Sequence, residues 1–286
     1  MSLSICIVGC GEQAGKILDE ALPVLDDVSL YFTSEYLSDA RRYNDTYGGV
    51  GVFDSFEDAV RDPGVDAVYL ATPHHLHLGH TLIAAAQRKH ILVEKPIAMT
   101  VPEAWRMISC ARDSGVVLMV SEPVRYLSTV DKCNELIADG EIGDLRLVHV
   151  QNQAFDIPLE WRTDASLRGG GELIDGGIHS IDILVNIGGL PEKVYAVLPN
   201  RLFGEVDGDD GAVMTARLPG GVIGLLNHSS STSTKESDFW VMVTANKGQI
   251  RFEPGGSEVT VDTADGVRTI SVENGTSVRR MMAEFV

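Results

Sequence analysis

Ser4-Ile-Cys-Ile-Val8-Gly9-Cys-Gly11-Glu12-Gln13-Ala14-Gly-Lys-Ile17-Leu18 is the stretch on which the reading of the fold turns. Its first residues make a short apolar strand. Gly9 and Gly11 then make a turn, and Ala14, Ile17, Leu18, Ala21 and Leu22 recur at helical spacing until Pro23 stops the run. Strand, glycine turn and helix form the context in which a G-x-G-x-x-A pattern binds a dinucleotide. Gly9 makes the tight turn, Gly11 lets backbone approach a pyrophosphate, and Ala14 permits close helix packing, while the first amides of the helix hold the phosphates. Glu12 departs from the pattern, because a carboxylate beside pyrophosphate is unfavourable unless its side chain points away.

Outward from this point the alternation continues. Residues 28–33 read as strand, 38–47 as helix, 50–53 as strand, and 55–61 as a helix capped by Ser55 with Asp58 three residues on. Strands at 66–71, 90–93 and 116–120 then alternate with helices at 78–88 and 101–114, which implies a parallel sheet wrapped by helices and ending near Glu122. Beyond it the pattern changes. A helix at 129–139, a strand at 144–153 and a helix at 172–187 precede strands at 194–199, 211–218, 222–228, 239–245, 249–252, 258–263 and 267–272. Sequential strands on short turns imply a largely antiparallel sheet with its helices on one face. The fold class is α/β, with a doubly wound parallel sheet over residues 1–122 and an α+β domain with a large, mostly antiparallel open sheet over 123–286. Val278, Met281, Met282, Phe285 and Val286 form an apolar helical stripe with no stop signal, so a missing C-terminal segment is expected.

Composition narrows the partners. With 23 Lys+Arg against 41 Asp+Glu the net charge is -18, a surface that repels phosphate backbones and anionic lipid; no nucleic acid and no membrane partner is expected. Cys6, Cys10, Cys110 and Cys133 have neither metal-ligand spacing nor the density of a disulfide scaffold, and read as reduced thiols of a cytoplasmic protein. No stretch reads as a signal peptide or membrane span.

Several residues carry possible chemistry. The acid that binds a ribose 2′-hydroxyl about 20 residues after the fingerprint is replaced by Thr33 and Ser34, with Glu35 following. Small hydroxyls leave room for a 2′-phosphate that Arg41 or Arg42 reaches, so the cofactor reads as NAD or NADP with a lean to NADP. His74, His75, His77 and His80 invite a metal reading, but no carboxylate or cysteine accompanies them at ligand spacing, and no metal is expected. His77 is expected to face the ligand crevice, the other three to be surface or capping residues. Asp175 and His179 stand four apart on one expected helix and so share a face, behind Gly169-Gly-Gly171, which allows close approach of backbone to a ligand or the other domain. Glu94-Lys95-Pro96 follows an apolar strand, where open α/β sheets bind ligands.

Ala71-Thr-Pro-His-His-Leu-His77, Lys89-His-Ile-Leu-Val-Glu-Lys-Pro96, Ser121-Glu-Pro-Val-Arg-Tyr126, Trp161-Arg-Thr-Asp164 and Gly169-Gly-Gly-Glu-Leu-Ile-Asp175-Gly-Gly-Ile-His179-Ser-Ile-Asp182 together resemble the glucose-fructose oxidoreductase/inositol dehydrogenase/MocA family across nearly the whole chain. The resemblance implies an N-terminal Rossmann domain that binds NAD(P) and a C-terminal domain that binds substrate and assembles a homodimer or homotetramer through its open sheet. It makes Lys95, Asp175 and His179 catalytic. Gly9, Gly11, Gln13, Ala14 and Ser34 then hold the cofactor, with Ala71, Thr72, Pro73, His77, Glu94 and Lys95. Arg125, Tyr126, Trp161 and Arg162 line the substrate pocket, and the Lys95-Pro96 bond is expected to be cis. The implied reaction is hydride transfer between nicotinamide and a sugar, inositol or related polyol. Neutral His179 takes the hydroxyl proton, the Lys95 ammonium stabilises the alkoxide, and Asp175 orients His179 or the substrate. The alternatives in the same fold are an NAD-dependent glycosidase acting by transient oxidation and a non-enzymatic NAD(P)-sensing regulator.

Overall fold

The computed structural model describes residues 3–204, 206–233 and 238–286. Two compact units emerge, one of Met1–Glu122, Ser166–Gly169 and Val278–Val286, the other of Pro123–Ala165 and Gly170–Ser277.

In the first unit β1 (Ser4–Val8), α1 (Glu12–Ala21), β2 (Ser29–Thr33), α2 (Leu37–Tyr47), β3 (Gly51–Val52) and α3 (Phe56–Arg61) are followed by β4 (Ala67–Leu70), α4 (His74–Ala86), β5 (His90–Glu94), α5 (Val101–Ser114) and β6 (Leu118–Ser121). The strands lie in the order β3-β2-β1-β4-β5-β6 and every neighbouring pair is parallel. Central strands are apolar along their whole length because helices cover both faces, so β4 is buried at every position. Strand order reverses at β1, whose neighbours are β2 and β4, and Gly9 leaves its carboxyl end at this switch point, where open α/β sheets bind ligands. A capping box of Thr100 and Glu103 starts α5, and Gly115 ends it at φ +69°.

The second unit contains α6 (Ser128–Ala138) and β7 (Leu145–Gln153). After the short α7 (Ala165–Arg168), α8 (Glu172–Asp175) and α9 (Gly177–Gly188) lead into β8 (Lys193–Val197), β9 (Gly211–Arg217), β10 (Ile223–Ser229), β11 (Asp238–Ala245), β12 (Gly248–Phe252), β13 (Glu258–Thr263) and β14 (Gly266–Ser271). The last helix, α10 (Ser277–Phe285), falls from Val278 onward in the first unit, as α7 does from Ser166. The sheet runs β14-β13-β12-β11-β7-β10-β9-β8, antiparallel at each pairing except the parallel pair β7 and β10. Its inward residues, among them Val148, Val150, Leu226, Val241 and Ile250, share a core with Val130 and Cys133 of α6 and Ile183 and Leu184 of α9. The alternate residues face outward, leaving Tyr195, Val213 and Ile223 exposed.

Two helices differ from expectation. α4 starts at His74 instead of residue 78, because its first turn is built of histidines that apolar periodicity overlooks. The helix expected over 172–187 divides at Gly176 into α8 and α9. A side chain at Gly176 would run into the Glu172 carboxylate, and one at Gly177 would lie 2.9 Å from Leu173 Cδ1 and 3.4 Å from the His228 ring. Glycine here lets Glu172 and His228 fold close against the backbone between Asp175 and His179.

Candidate active site

The first unit gathers its candidates at the carboxyl end of the parallel sheet. Gly9 adopts φ +92°, and a Cβ there would sit 2.7 Å from the Ala71 carbonyl oxygen, so only glycine lets the fingerprint turn lie against the turn after β4. At Gly11, by contrast, a Cβ would meet nothing within 4 Å. Gly11 is also the N-cap of α1, and no side chain caps that end. Open space in front of uncapped amides suits the pyrophosphate of a dinucleotide, and Gln13 and the fully buried Ala14 lie in that first turn. Glu12 does not obstruct it: its side chain is 82% exposed and pairs with Lys16 at 2.7 Å.

The turn is buttressed from α2. Tyr43 Oη donates to the Gly11 carbonyl at 2.8 Å and Tyr47 Oη to Asp19 at 2.8 Å. Burial, reinforced for Tyr47 by that carboxylate, raises both phenol pKa values, to about 12 for Tyr47. Past the end of β2, Ser34 Oγ accepts from Cys10 N–H at 3.4 Å. Arg42 pairs with Asp39 at 3.1 Å and stacks over Tyr43, whereas Arg41 is exposed on the same helix.

His77, expected to face the ligand crevice, is fully buried instead. Because α4 begins at residue 74, His74, His77 and Thr81 fall on its inward face. His77 Nε2 lies 2.9 Å from the Thr72 carbonyl and Nδ1 2.9 Å from the Pro96 carbonyl, so the ring ties the turn after β4 to the turn after β5. His74, expected at the surface, is buried with Nδ1 2.8 Å from the Arg168 carbonyl. Thr72 Oγ1 lies 3.3 Å from His80 Nδ1, and burial, helped by His77, lowers the His80 pKa to about 4. His74, His77 and His80 each hydrogen-bond to different oxygen atoms. Among the described residues no group of three or more His, Cys, Asp or Glu is arranged to hold a metal ion.

The Lys95–Pro96 peptide bond is cis. Glu94 before it is buried and accepts a 2.5 Å hydrogen bond from Tyr69 Oη, whose own pKa burial and that carboxylate push far up. Lys95 thus follows a strand end whose last side chain is clamped inside the sheet.

In the second unit Asp175 ends α8 and is buried, with Oδ2 3.2 Å from Arg162 Nε. The Arg162 guanidinium in turn lies 4.6 Å over the Trp161 ring, so Trp161, Arg162 and Asp175 form one stack. Trp161 and Arg162 come from a 3₁₀ turn entered through Glu160 at φ +56°. His179 is half-buried in the first turn of α9. Arg125 makes a two-pronged contact with Asp182, Nε to Oδ1 at 2.9 Å and Nη2 to Oδ1 at 2.7 Å, in the turn that also holds Tyr126. The glycine run approaches its own unit: Gly171 packs against Gly208 and Asp209, with Glu172 N–H donating to the Asp209 carbonyl at 2.7 Å and Leu173 N–H to its carboxylate at 2.9 Å. Lys95 belongs to the first unit and Asp175 and His179 to the second.

Comparison with known proteins agrees with this geometry. Residues 3–122 match the model of an oxidoreductase family with an NAD-binding Rossmann fold, and residues 130–251 match the GFO/IDH/MocA C-terminal domain. The chain is 30% identical over 248 residues to 1,5-anhydro-D-fructose reductase of Ensifer adhaerens, an alignment covering 84% of this chain and 74% of the relative. It belongs to the Gfo/Idh/MocA family. Mouse trans-1,2-dihydrobenzene-1,2-diol dehydrogenase is also 30% identical, over 258 residues covering 88% of this chain and 75% of that one. In fold, levoglucosan dehydrogenase in complex with NADH and L-sorbose superposes with a TM-score of 0.90 at 23% identity, over 99% of this chain and 88% of that one. This chain is therefore an oxidoreductase of the Gfo/Idh/MocA family, with a six-stranded parallel Rossmann sheet and a mostly antiparallel eight-stranded sheet. Among its described residues no helix is long and apolar enough to cross a membrane.

Some partners of the candidate site residues escape sequence reading. Tyr69 under Glu94, Tyr43 under Gly11, and Asp209 and His228 around α8 all come from elements distant in the chain. Only Tyr69 carried a signal, a phenol inside an otherwise apolar strand, where its hydroxyl needs a buried partner.

Proposed function

We propose that this oxidoreductase transfers a hydride between a nicotinamide cofactor and a carbinol carbon of a sugar, inositol or related polyol. Residues 1–122 bind the cofactor and 123–286 bind substrate. The observation that carries the reading is the buried Asp175, held by Arg162 at the end of α8, four residues before His179 in the first turn of α9. A fixed carboxylate four residues before a half-buried imidazole suits an acid/base pair working on a hydroxyl.

The cofactor supplies the hydride acceptor or donor at its nicotinamide ring. Its phosphates are held by the open amides at Gly11–Gln13, with Ser34, Ala71, Thr72, Pro73 and Glu94 completing that side. His179 takes the hydroxyl proton as the alcohol is oxidised and returns it in the reverse direction, while Asp175 keeps the imidazole oriented. The Lys95 ammonium stabilises negative charge on the substrate oxygen, a role suited to a cation outside water's full screening. Arg125, Tyr126, Trp161 and Arg162 contact the remaining hydroxyls. The named substrates of the two curated relatives, an anhydro-fructose and a cyclic diol, support a polyhydroxy or cyclic substrate for this chain as well.

Two finer readings accompany this one. Ser34 in place of an acid, with Arg41 exposed on α2, favours NADP over NAD. The uncovered outer sheet face, bearing Tyr195, Val213 and Ile223, favours a homodimer or homotetramer built on that face.

The test is a titration with NAD(H) and NADP(H), then turnover on a panel including 1,5-anhydro-D-fructose, levoglucosan, L-sorbose and myo-inositol. Lys95→Ala and His179→Ala are each expected to lower kcat by at least roughly a thousandfold while the cofactor Kd stays within about threefold. Turnover unchanged in either variant would remove that residue from the mechanism.

A further inference from the structure

His228 takes no part in the reaction as derived, yet it lies beneath the segment that carries it. The residue stands on the inward face of β10, is 4% exposed, and reaches both helices at the Gly176 break. Its Nε2 lies 3.3 Å from Glu172 Oε1 at the start of α8, and its Nδ1 lies 3.4 Å from Ser180 Oγ in α9. Asn152 Nδ2, on the neighbouring β7, donates to the same Ser180 oxygen at 3.3 Å. His228 and Asn152 are paired in register across the parallel β7 and β10, so both are planted in the middle of the sheet.

The ends of this chain of contacts set its direction. An amide nitrogen only donates and an ionised carboxylate only accepts. His228 gives its Nε2 proton to the Glu172 carboxylate, and Ser180 Oγ, which accepts from Asn152, still has its own proton to give to His228 Nδ1. A single tautomer of neutral histidine satisfies every contact. No hydrophobic residue of that size offers an acceptor to one helix and a donor to the other.

We propose that His228 is a positioning residue: it braces α8 against α9 across the Gly176 break and so sets the placement of Asp175, the last residue of α8, relative to His179, in the first turn of α9. The proposal rests on the reading of Asp175 and His179 as the catalytic pair. α8 has a single turn and cannot hold its own orientation; its start is fixed by Asp209 and its underside by His228 through Glu172. The glycines at 176 and 177 admit the brace, since a side chain at either would displace Glu172 or crowd His228.

The experiment compares His228→Phe, Glu172→Ala and Glu172→Gln with the wild-type full chain, using whichever of NADH and NADPH binds more tightly, its 4-deuterated form, and 1,5-anhydro-D-fructose or the best-used member of the panel. Loss of the brace is expected to lower kcat about a hundredfold in His228→Phe and in Glu172→Ala, the effect of an ångström-scale misplacement of reacting groups. The cofactor Kd should stay within about twofold, and the deuterium effect on kcat should rise as hydride transfer becomes rate-limiting. Glu172→Gln should recover most of the loss, because its amide oxygen still accepts from Nε2–H, and the His228→Phe/Glu172→Ala double variant should be no slower than either single one. A purely structural role would instead lower the melting temperature and leave the isotope effect of the folded enzyme as in wild type, and that result overturns the proposal, as do multiplying effects in the double variant. If His228→Phe does not fold, the contrast between Glu172→Ala and Glu172→Gln decides alone. Full turnover in Asp175→Ala or His179→Ala would strike down the catalytic reading itself, a separate result from a wild-type kcat in His228→Phe.

Discussion

At the amino end of the parallel sheet the Lys89 side chain, almost wholly buried, donates to the carbonyls of Asp62 at 2.8 Å and Val65 at 2.6 Å, tying the loop before β4 to the start of β5. At the carboxyl end His77 lies between the carbonyls of Thr72 and Pro96, 2.9 Å from each. Both are buried nitrogen side chains spanning two loops, but their proton counts differ. An ammonium has donors for both carbonyls at once. Burial lowers the pKa of His77, and a neutral imidazole carries one N–H for its two carbonyls. Lys89 thus donates to both carbonyls it spans, whereas a neutral His77 donates to one of its two. Regions that must admit a ligand are drawn from the less stable parts of a fold.

Two glycines in the left-handed region give the sharpest test of this contrast. Gly9 at the carboxyl end has φ +92° and no room for a Cβ against Ala71; Gly115 at the amino end has φ +69° and nothing within 4 Å. Gly9→Ala is expected to weaken NAD(H) binding roughly a hundredfold, since strain and clash together displace the fingerprint turn. Gly115→Ala should cost only about 1 kcal/mol of stability and leave the cofactor Kd unchanged. Calorimetric titration with melting curves on the pair reads both effects, and equal cofactor Kd values for the two variants would erase the distinction between the ends.

Lys89→Met comes next in size. It keeps most of the side-chain volume and removes both donors, leaving the Asp62 and Val65 carbonyls buried. A loss of about 3 kcal/mol in unfolding free energy is expected, with kcat and cofactor Kd unaltered. Urea unfolding and steady-state kinetics on the same preparation check it. A fall in kcat for the folded variant would show that the amino end also shapes the site.

What the sequence disclosed follows the same division. β1, β4 and β5 are legible because both faces are buried and apolar residues fill their interior positions, and the fingerprint is legible because Gly9 has a conformational and steric job. The antiparallel second sheet is announced by its turn residues, although the parallel pairing of β7 with β10 is not, because register partners 76 positions apart in the chain, as Ser229 and Gln153 are, leave no local pattern. The first turn of α4 was hidden by its histidines, which apolar periodicity does not count. The break at Gly176 was hidden because its causes, Glu172 and His228, lie 56 residues apart in the chain. Motif spacing picks out Gly9, Lys95, Asp175 and His179 as candidates; it says nothing of Tyr69, Asp209 or His228, which bond to Glu94, Glu172, Leu173 and Ser180 near them in the chain, since those contacts exist only once the sheets form.

Acid titration bears on the carboxyl end alone. His80, beside Thr72, has its pKa lowered from 6.5 to about 4 by burial and by His77. The unfolded chain therefore takes up a proton near pH 6.5 that the folded chain refuses until about pH 4. Stability contributed by neutral His80 is complete above pH 6.5, declines as the pH falls towards 4, and changes no further below it. After allowance for partial exposure of the ring the loss is about 2 kcal/mol. His80→Gln has no proton to gain, so its stability should fall less between pH 6.5 and 4 than that of the wild type, while Lys89→Met should keep the wild-type slope. Urea midpoints across that interval measure the difference. A His80→Gln curve parallel to the wild type would move the acid sensitivity away from the turn after β4, and the weaker fastening of the carboxyl end would then rest on His77 alone.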